Sequence, residues 1–215
     1  MPKDNFFKIL SVFLLGLILG FLISKVNFAS LQGQAVPQIT ENGSEKVMGN
    51  QNAKVTVVEY SDFQCPLCHS FFADSLPTIL KDYVDTGKVK FVYKHFPLNI
   101  HPQAPAASLA SECALEQGKF WQMHDLLFEK QAEWSGQPSH LAMFKQMAAD
   151  LQLNSNQFSE CLDNKKLQKN VDIDYNESIA KNFRGTPMFL INDQMIVGAQ
   201  DVKVFTDAID AELAK

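Results

Sequence analysis

The stretch KVTVVEYSDFQCPLCHSFF, residues 54–72, carries a strand signal and a helix signal in direct succession. Residues 54–60 are short and rich in β-branched side chains, which reads as a buried strand. From Cys65 onward apolar residues fall at helical spacing, at Leu67, Phe71, Phe72, Leu76, Ile79, Leu80 and Tyr83. Pro66 suits the first turn of that helix, and Pro77 predicts a kink within it. Cys65-Pro66-Leu67-Cys68 therefore stands where a strand gives way to a helix. A helix N-terminus offers unpaired N–H groups and about half a positive charge, which stabilises a thiolate at Cys65. Three residues on is nearly one turn, so Cys68 comes under Cys65, close enough to bond. Such a pair can hold a disulfide, yield it to a substrate thiolate and close again.

Two other readings of the same spacing are half a zinc site and an inert bridge. A four-ligand zinc site needs two more ligands, usually a second CxxC or an HxxxH. His69 adjoins Cys68 and cannot easily share its metal, while Cys113 and Cys161 stand alone in separate segments. The reading calls for no metal and no cofactor.

Outward from this junction, residues 88–95 (KVKFVYKH) form a second strand after a turn at Thr86-Gly87. Residues 103–182 are helical in character, broken near Gly118, at 135–138 and at 154–156. Residues 188–192 and 195–198 read as a hairpin, and Asp201 caps a last helix. A strand–helix–strand unit later joined by an antiparallel hairpin gives an α/β fold, a mixed sheet flanked by helices, with an all-helical insertion.

The 215 residues are 46% hydrophobic and 20% charged, with a net charge of −5, too apolar and too weakly charged for a disordered chain. Residues 9–24 (ILSVFLLGLILGFLIS) carry no charge and follow Lys3 and Lys8. Residues 1–28 are expected to be an uncleaved signal anchor or a cleaved signal peptide. Basic charge before the segment exceeds that after it, so the positive-inside rule puts the N-terminus in the cytoplasm and the body outside. Anchored, the body would sit on the outer face of a bacterial cell membrane; cleaved, it would be periplasmic or secreted. Residues 29–46 read as a polar linker and 47–215 as the folded domain. The body is acidic and its basic residues are scattered, which excludes nucleic acid as the main partner.

Four segments together resemble the DsbA-like thiol-disulfide oxidoreductases, thioredoxin-fold proteins with a helical insertion. They are VVEYSDFQCPLCHSFF (57–72), YKHFPL (93–98), SECALEQGKFWQMHDLLF (111–128) and GTPMFLIN (185–192), in that order. The resemblance runs from about Val47 to the C-terminus. It implies that Cys65 is the attacking, solvent-facing thiol and Cys68 the buried, resolving one. It implies a cis peptide at Thr186-Pro187 beside the active pair, with Thr186 offering its backbone to a substrate strand; sequence alone reads only a strand-entry proline. It makes Glu59 a buried acid that accepts the Cys68 proton, where an exposed strand carboxylate is the plainer reading.

By the same resemblance Cys113 and Cys161 form a structural disulfide stapling the insert; two buried thiols are the alternative. One departure stands out: Leu67 precedes the second cysteine where the best-known oxidases have His, so less depression of the Cys65 pKa is expected. The implied function is an extracytoplasmic disulfide donor to unfolded or reduced secreted proteins. Reoxidation would come from a membrane thiol oxidase, DsbB-like or VKOR-like. A disulfide reductase or isomerase, and a non-catalytic binding or chaperone module, are the alternatives.

Overall fold

Val55, Val57, Glu59 and Ser61 alternate along one strand and all are buried, so the run that opens the motif faces a packed layer. In the computed structural model this strand is the middle of a five-stranded sheet. The structure describes residues 46–215. Its strands are β1 (Val47–Gly49), β2 (Val55–Ser61), β3 (Val89–His95), β4 (Met188–Ile191) and β5 (Gln194–Val197), in spatial order β1-β3-β2-β4-β5. The β2–β3 pair is parallel and the other pairs are antiparallel, the mixed sheet that the element order implied. The membrane segment expected at 1–28 lies outside the described residues, as do residues 29–45 of the expected linker. Among the described residues no helix is long and apolar enough to cross a membrane.

The long helix α1 (66–84) joins β2 to β3 and does more than kink at Pro77. Its α-helical parts Pro66–Ser70 and Leu76–Ile79 alternate with π turns at Phe71–Ser75 and Leu80–Val84. Pro77 has no N–H to give, and just before it the ladder slips by one residue, with the Leu76 N–H reaching Phe71 O. Helices α2 (Ala104–Leu115), α3 (Phe120–Glu129), α4 (Gln131–Trp134), α5 (His140–Asp150), α6 (Ser155–Asp163) and α7 (Gln168–Ala180) make up the insertion. Helix α8 (Val202–Leu213) closes the chain, its N-cap Asp201 accepting from the Lys203 N–H.

On the Glu59 side of the sheet, aromatic contacts bind the layers into one core. Phe71 of α1 meets Phe189 of β4 at 4.4 Å and Phe205 of α8 at 5.1 Å between ring centroids, and Phe63 meets Phe128 of α3 at 5.0 Å. Strand β1 is an element that the sequence reading did not place. It is three residues long and ends at Gly49, whose φ of +88° suits glycine. A Cβ there would lie 2.5 Å from the Val89 carbonyl oxygen.

Candidate active site

Cys65 is the N-cap of α1, in extended conformation, and Pro66 occupies the first helical position. The turn into it is held from three sides. The Cys65 N–H donates to Asp62 O at 3.0 Å, and the Gln131 side chain of the insert donates to Phe63 O and Cys65 O at 2.8 and 3.0 Å. Asp62, fully buried, accepts from the Gln64 N–H at 2.7 Å, the Leu98 N–H at 2.8 Å and His101 Nδ1 at 2.7 Å. The sequence reading missed Asp62. Its signal was an Asp two residues before a residue whose N–H it can hold, the pattern of an Asx turn.

Cys65 and Cys68 are both thiols. Cys65 keeps 5% exposure and Cys68 none, so of the two residues solvent reaches only Cys65. The Cys65 pKa is lowered to about 6: the Cys68 thiol hydrogen-bonds to the thiolate, against the cost of burial. Thr186 and the helix N–H groups of Cys68 and Leu67 add to the effect. Leu67 contributes through its backbone alone, its side chain being 54% exposed. The lowering expected to suffer from the lack of His thus comes from the neighbouring sulfur and the helix end. His69 does not serve instead, since its ring turns towards Phe72 at 6.4 Å. Cys68 is pushed well above the ordinary thiol value, by burial first and then by its role as donor to Cys65. The Asp62 N–H lies 3.4 Å from its sulfur.

The segment leading into β4 reaches Cys65 through Thr186. The Thr186-Pro187 peptide is cis, and the Cys65 thiol donates to Thr186 O at 3.5 Å. On the other side Glu59 is 1% exposed, and neither of its carboxyl oxygens has a partner at hydrogen-bond length. Burial raises its pKa from 4.5 to about 8, against a lowering influence from Ser61. Cys65, Cys68, Glu59, Thr186 and Pro187, which the sequence scatters over 129 positions, thus meet at one end of β2.

Cys113 of α2 and Cys161 of α6 are joined by a disulfide, both fully or almost fully buried. They belong to the insert. Near them stands a second polar cluster that the sequence reading did not see. Lys46 Nζ donates to Glu112 at 2.7 Å and to Asp174 at 2.8 Å, and His95 Nε2 meets Glu112 at 3.0 Å. These carboxylates and the His95 ring lie close enough together to suit a cation, and the Lys46 ammonium is the cation that they hold.

A family model described as Thioredoxin matches residues 41–211. Disulfide bond formation protein D of Bacillus subtilis is 31% identical over 79% of this chain and 77% of its own length. The chain belongs to the DsbA-like, thioredoxin-fold thiol-disulfide oxidoreductases. The crystal structure of oxidised BdbD from Bacillus subtilis superposes with a TM-score of 0.73 at 30% identity, covering 84% of this chain and 97% of that one. The sheet with its helical insertion is therefore the family's architecture. A protein named Na(+)/H(+) antiporter NhaA 3, from Salinispora tropica, is 34% identical over 79% of this chain. This chain spans 25% of that relative's length.

Proposed function

We propose that this protein donates disulfides to reduced proteins outside the cytoplasm, tethered by residues 1–28. The observation that carries this reading is the split between the two sulfurs: the reachable Cys65 is held towards thiolate, and the enclosed Cys68 towards thiol. A cysteine with a depressed pKa is a good leaving group, so the split favours giving a disulfide away.

In the oxidised protein a substrate thiolate attacks Cys65 Sγ. The Cys65–Cys68 bond breaks, Cys68 leaves with the electron pair, and Glu59, protonated near neutral pH, returns a proton to it. A second substrate thiolate then attacks the substrate sulfur of the mixed disulfide. The substrate disulfide forms and Cys65 departs as a stable thiolate. Thr186 holds the substrate strand alongside through its backbone, the carbonyl that otherwise faces Cys65 being within reach. The cycle restarts when a membrane thiol oxidase reoxidises the pair. The Cys113–Cys161 disulfide, buried between α2 and α6, takes no part and braces the insert.

The test is the reduction potential of Cys65/Cys68 in glutathione buffers. A value near −120 mV supports the donor, and one near −270 mV makes the protein a reductase.

A further inference from the structure

Beside Glu59, two more polar side chains are sealed into the floor of the site. In the parallel β2–β3 register Glu59 pairs with Tyr93 and Ser61 with His95. Glu59 and Ser61 are two apart, so they share the face of the sheet that lies under α1 and Cys68. Ser61 and Tyr93 have no exposure, yet the Ser61 hydroxyl, the Tyr93 hydroxyl and both Glu59 oxygens lack partners at hydrogen-bond length. Buried polar atoms are normally paired, by protein or by an enclosed water. Glu59, Ser61 and Tyr93 thus lie enclosed on one face of two paired strands. Ser61 stands near enough to favour the ionised forms of Glu59, Cys68 and Tyr93 alike, and Tyr93 feels the charge of both Glu59 and Cys68.

We infer that Ser61 and Tyr93 are positioning residues for the proton that passes between Cys68 and Glu59, their hydroxyls bridging the buried thiol and the buried carboxyl. This rests on the reading of Glu59 as the proton acceptor and adds the path. When Cys68 resolves a mixed disulfide, its proton moves to the Ser61 oxygen while the Ser61 proton moves to Glu59. Cys68 attacks Cys65 Sγ, the Cys65–Cys68 bond forms, and the substrate leaves as thiolate. Tyr93 donates its hydroxyl hydrogen to the ionised carboxylate or to Ser61 and holds the pair in line. The titratable groups around Glu59 are Cys65 and Cys68 of α1 and Tyr93 of β3; Asp62 stands near enough to act on Tyr93, and His95 of β3 and His124 of α3 pack on the Tyr93 ring at 5.3 and 5.2 Å. Of these, Cys68 and Tyr93 act on the proton's path, and the others surround it.

The experiment uses the purified full chain, reduced, mixed with a peptide disulfide at pH 5.5 to 9.5. Rapid acid quench and intact-mass measurement follow first the formation of the Cys65–peptide intermediate and then its decay by Cys68. In the unaltered protein decay accelerates with pH to a plateau, with a midpoint near the Glu59 value of about 8. Ser61→Ala should move that midpoint up by about one pH unit, which makes decay at pH 7 about tenfold slower. Tyr93→Phe should move it the same way, about threefold at pH 7. Ser61→Thr, which keeps the hydroxyl, should keep the midpoint, and formation of the intermediate should be unchanged in all three. If Ser61→Ala does not fold, the phenylalanine variant decides. Midpoints unchanged in Ser61→Ala and Tyr93→Phe would overturn the inference, whether or not decay slows uniformly. Glu59→Gln separates the two ideas: if it abolishes the pH dependence while the hydroxyl variants leave it alone, Glu59 stands and the path falls. If Glu59→Gln also leaves the profile unchanged, the acceptor reading itself fails.

Discussion

Replacing Lys46 with Met should destabilise the body strongly, and the loss should depend on pH. The ammonium is 9% exposed and bonded at 2.7 and 2.8 Å to Glu112 and Asp174, whose side chains are 1% and 4% exposed. For Glu112, burial alone would raise the pKa, but the His95 ring and Lys46 outweigh it and hold the group below the ordinary carboxylate range. Asp174 behaves likewise, with Lys46 the largest opposing influence. Burial and then Lys46 lower the pKa of His95, so the buried lasting charge in the cluster is that of Lys46, with the more exposed Lys94 meeting Asp174 from outside at 3.1 Å. Removal of Lys46 leaves Glu112 without a lasting charged partner, while Asp174 keeps Lys94 at 3.1 Å, so the cost falls at the lower end of that for a broken buried pair, about 3 kcal/mol. At about 2–4 °C per kcal/mol for a chain of this size, the melting temperature falls by roughly 10 °C at pH 7. Two depressed carboxyl groups stabilise fully above their unfolded value of about 4, and the contribution is lost as pH falls through the lower folded values. In the variant the carboxyls protonate more readily, and so does His95, relieved of the ammonium. The gap between the two proteins should therefore narrow from pH 7 to pH 5. Urea unfolding at both pH values is the assay, with Lys203→Met as control, because Lys203 meets Asp207 in open solvent. A loss below about 1 kcal/mol at pH 7, or an equal gap at both pH values, would refute the reasoning.

Alkylation of the reduced protein against pH should give a Cys65 midpoint near 6, with Cys68 far slower; a Cys65 midpoint at or above the free-cysteine value of about 8.5 would contradict the assignment. Cys68→Ala should accumulate Cys65-linked substrate adducts on non-reducing gels, and Cys65→Ser should show none. Cys113–Cys161 should survive the mild reductant that opens Cys65–Cys68. Its removal by paired alanines should cost about 4 kcal/mol for a loop with a sequence separation of 48, read by denaturant melts. Gly49→Ala should destabilise as well, since the new Cβ meets the Val89 carbonyl at 2.5 Å in a left-handed conformation.

The β2–α1 junction was legible because a β-branched run and a helical apolar spacing meet at the cysteines, and both are local signals. Pro77 announced an irregular helix, but the alternation of π turns with α turns follows from packing that the sequence pattern does not record. Strand β1 escaped notice because three residues carry no period. Lys46 closed a polar stretch and so read as solvated linker. Its burial depends on Glu112 and Asp174, 66 and 128 positions away. Ser61 and Tyr93 were hidden for a related reason. Whether a strand hydroxyl is buried beside a carboxyl depends on the register of the neighbouring strand, and the β2–β3 register becomes visible only in the fold. Glu59, Thr186 and Pro187 came forward through the family resemblance rather than through any local rule.

The donor reading is tested most directly by mixing the oxidised full chain with a reduced, unfolded protein bearing two thiols and trapping both partners with a thiol reagent over time. The account predicts that a substrate disulfide appears one for one as Cys65 and Cys68 become thiols, with Cys113–Cys161 intact and no transfer from Cys65→Ser. A substrate that stays reduced while Cys65–Cys68 remains oxidised would contradict it.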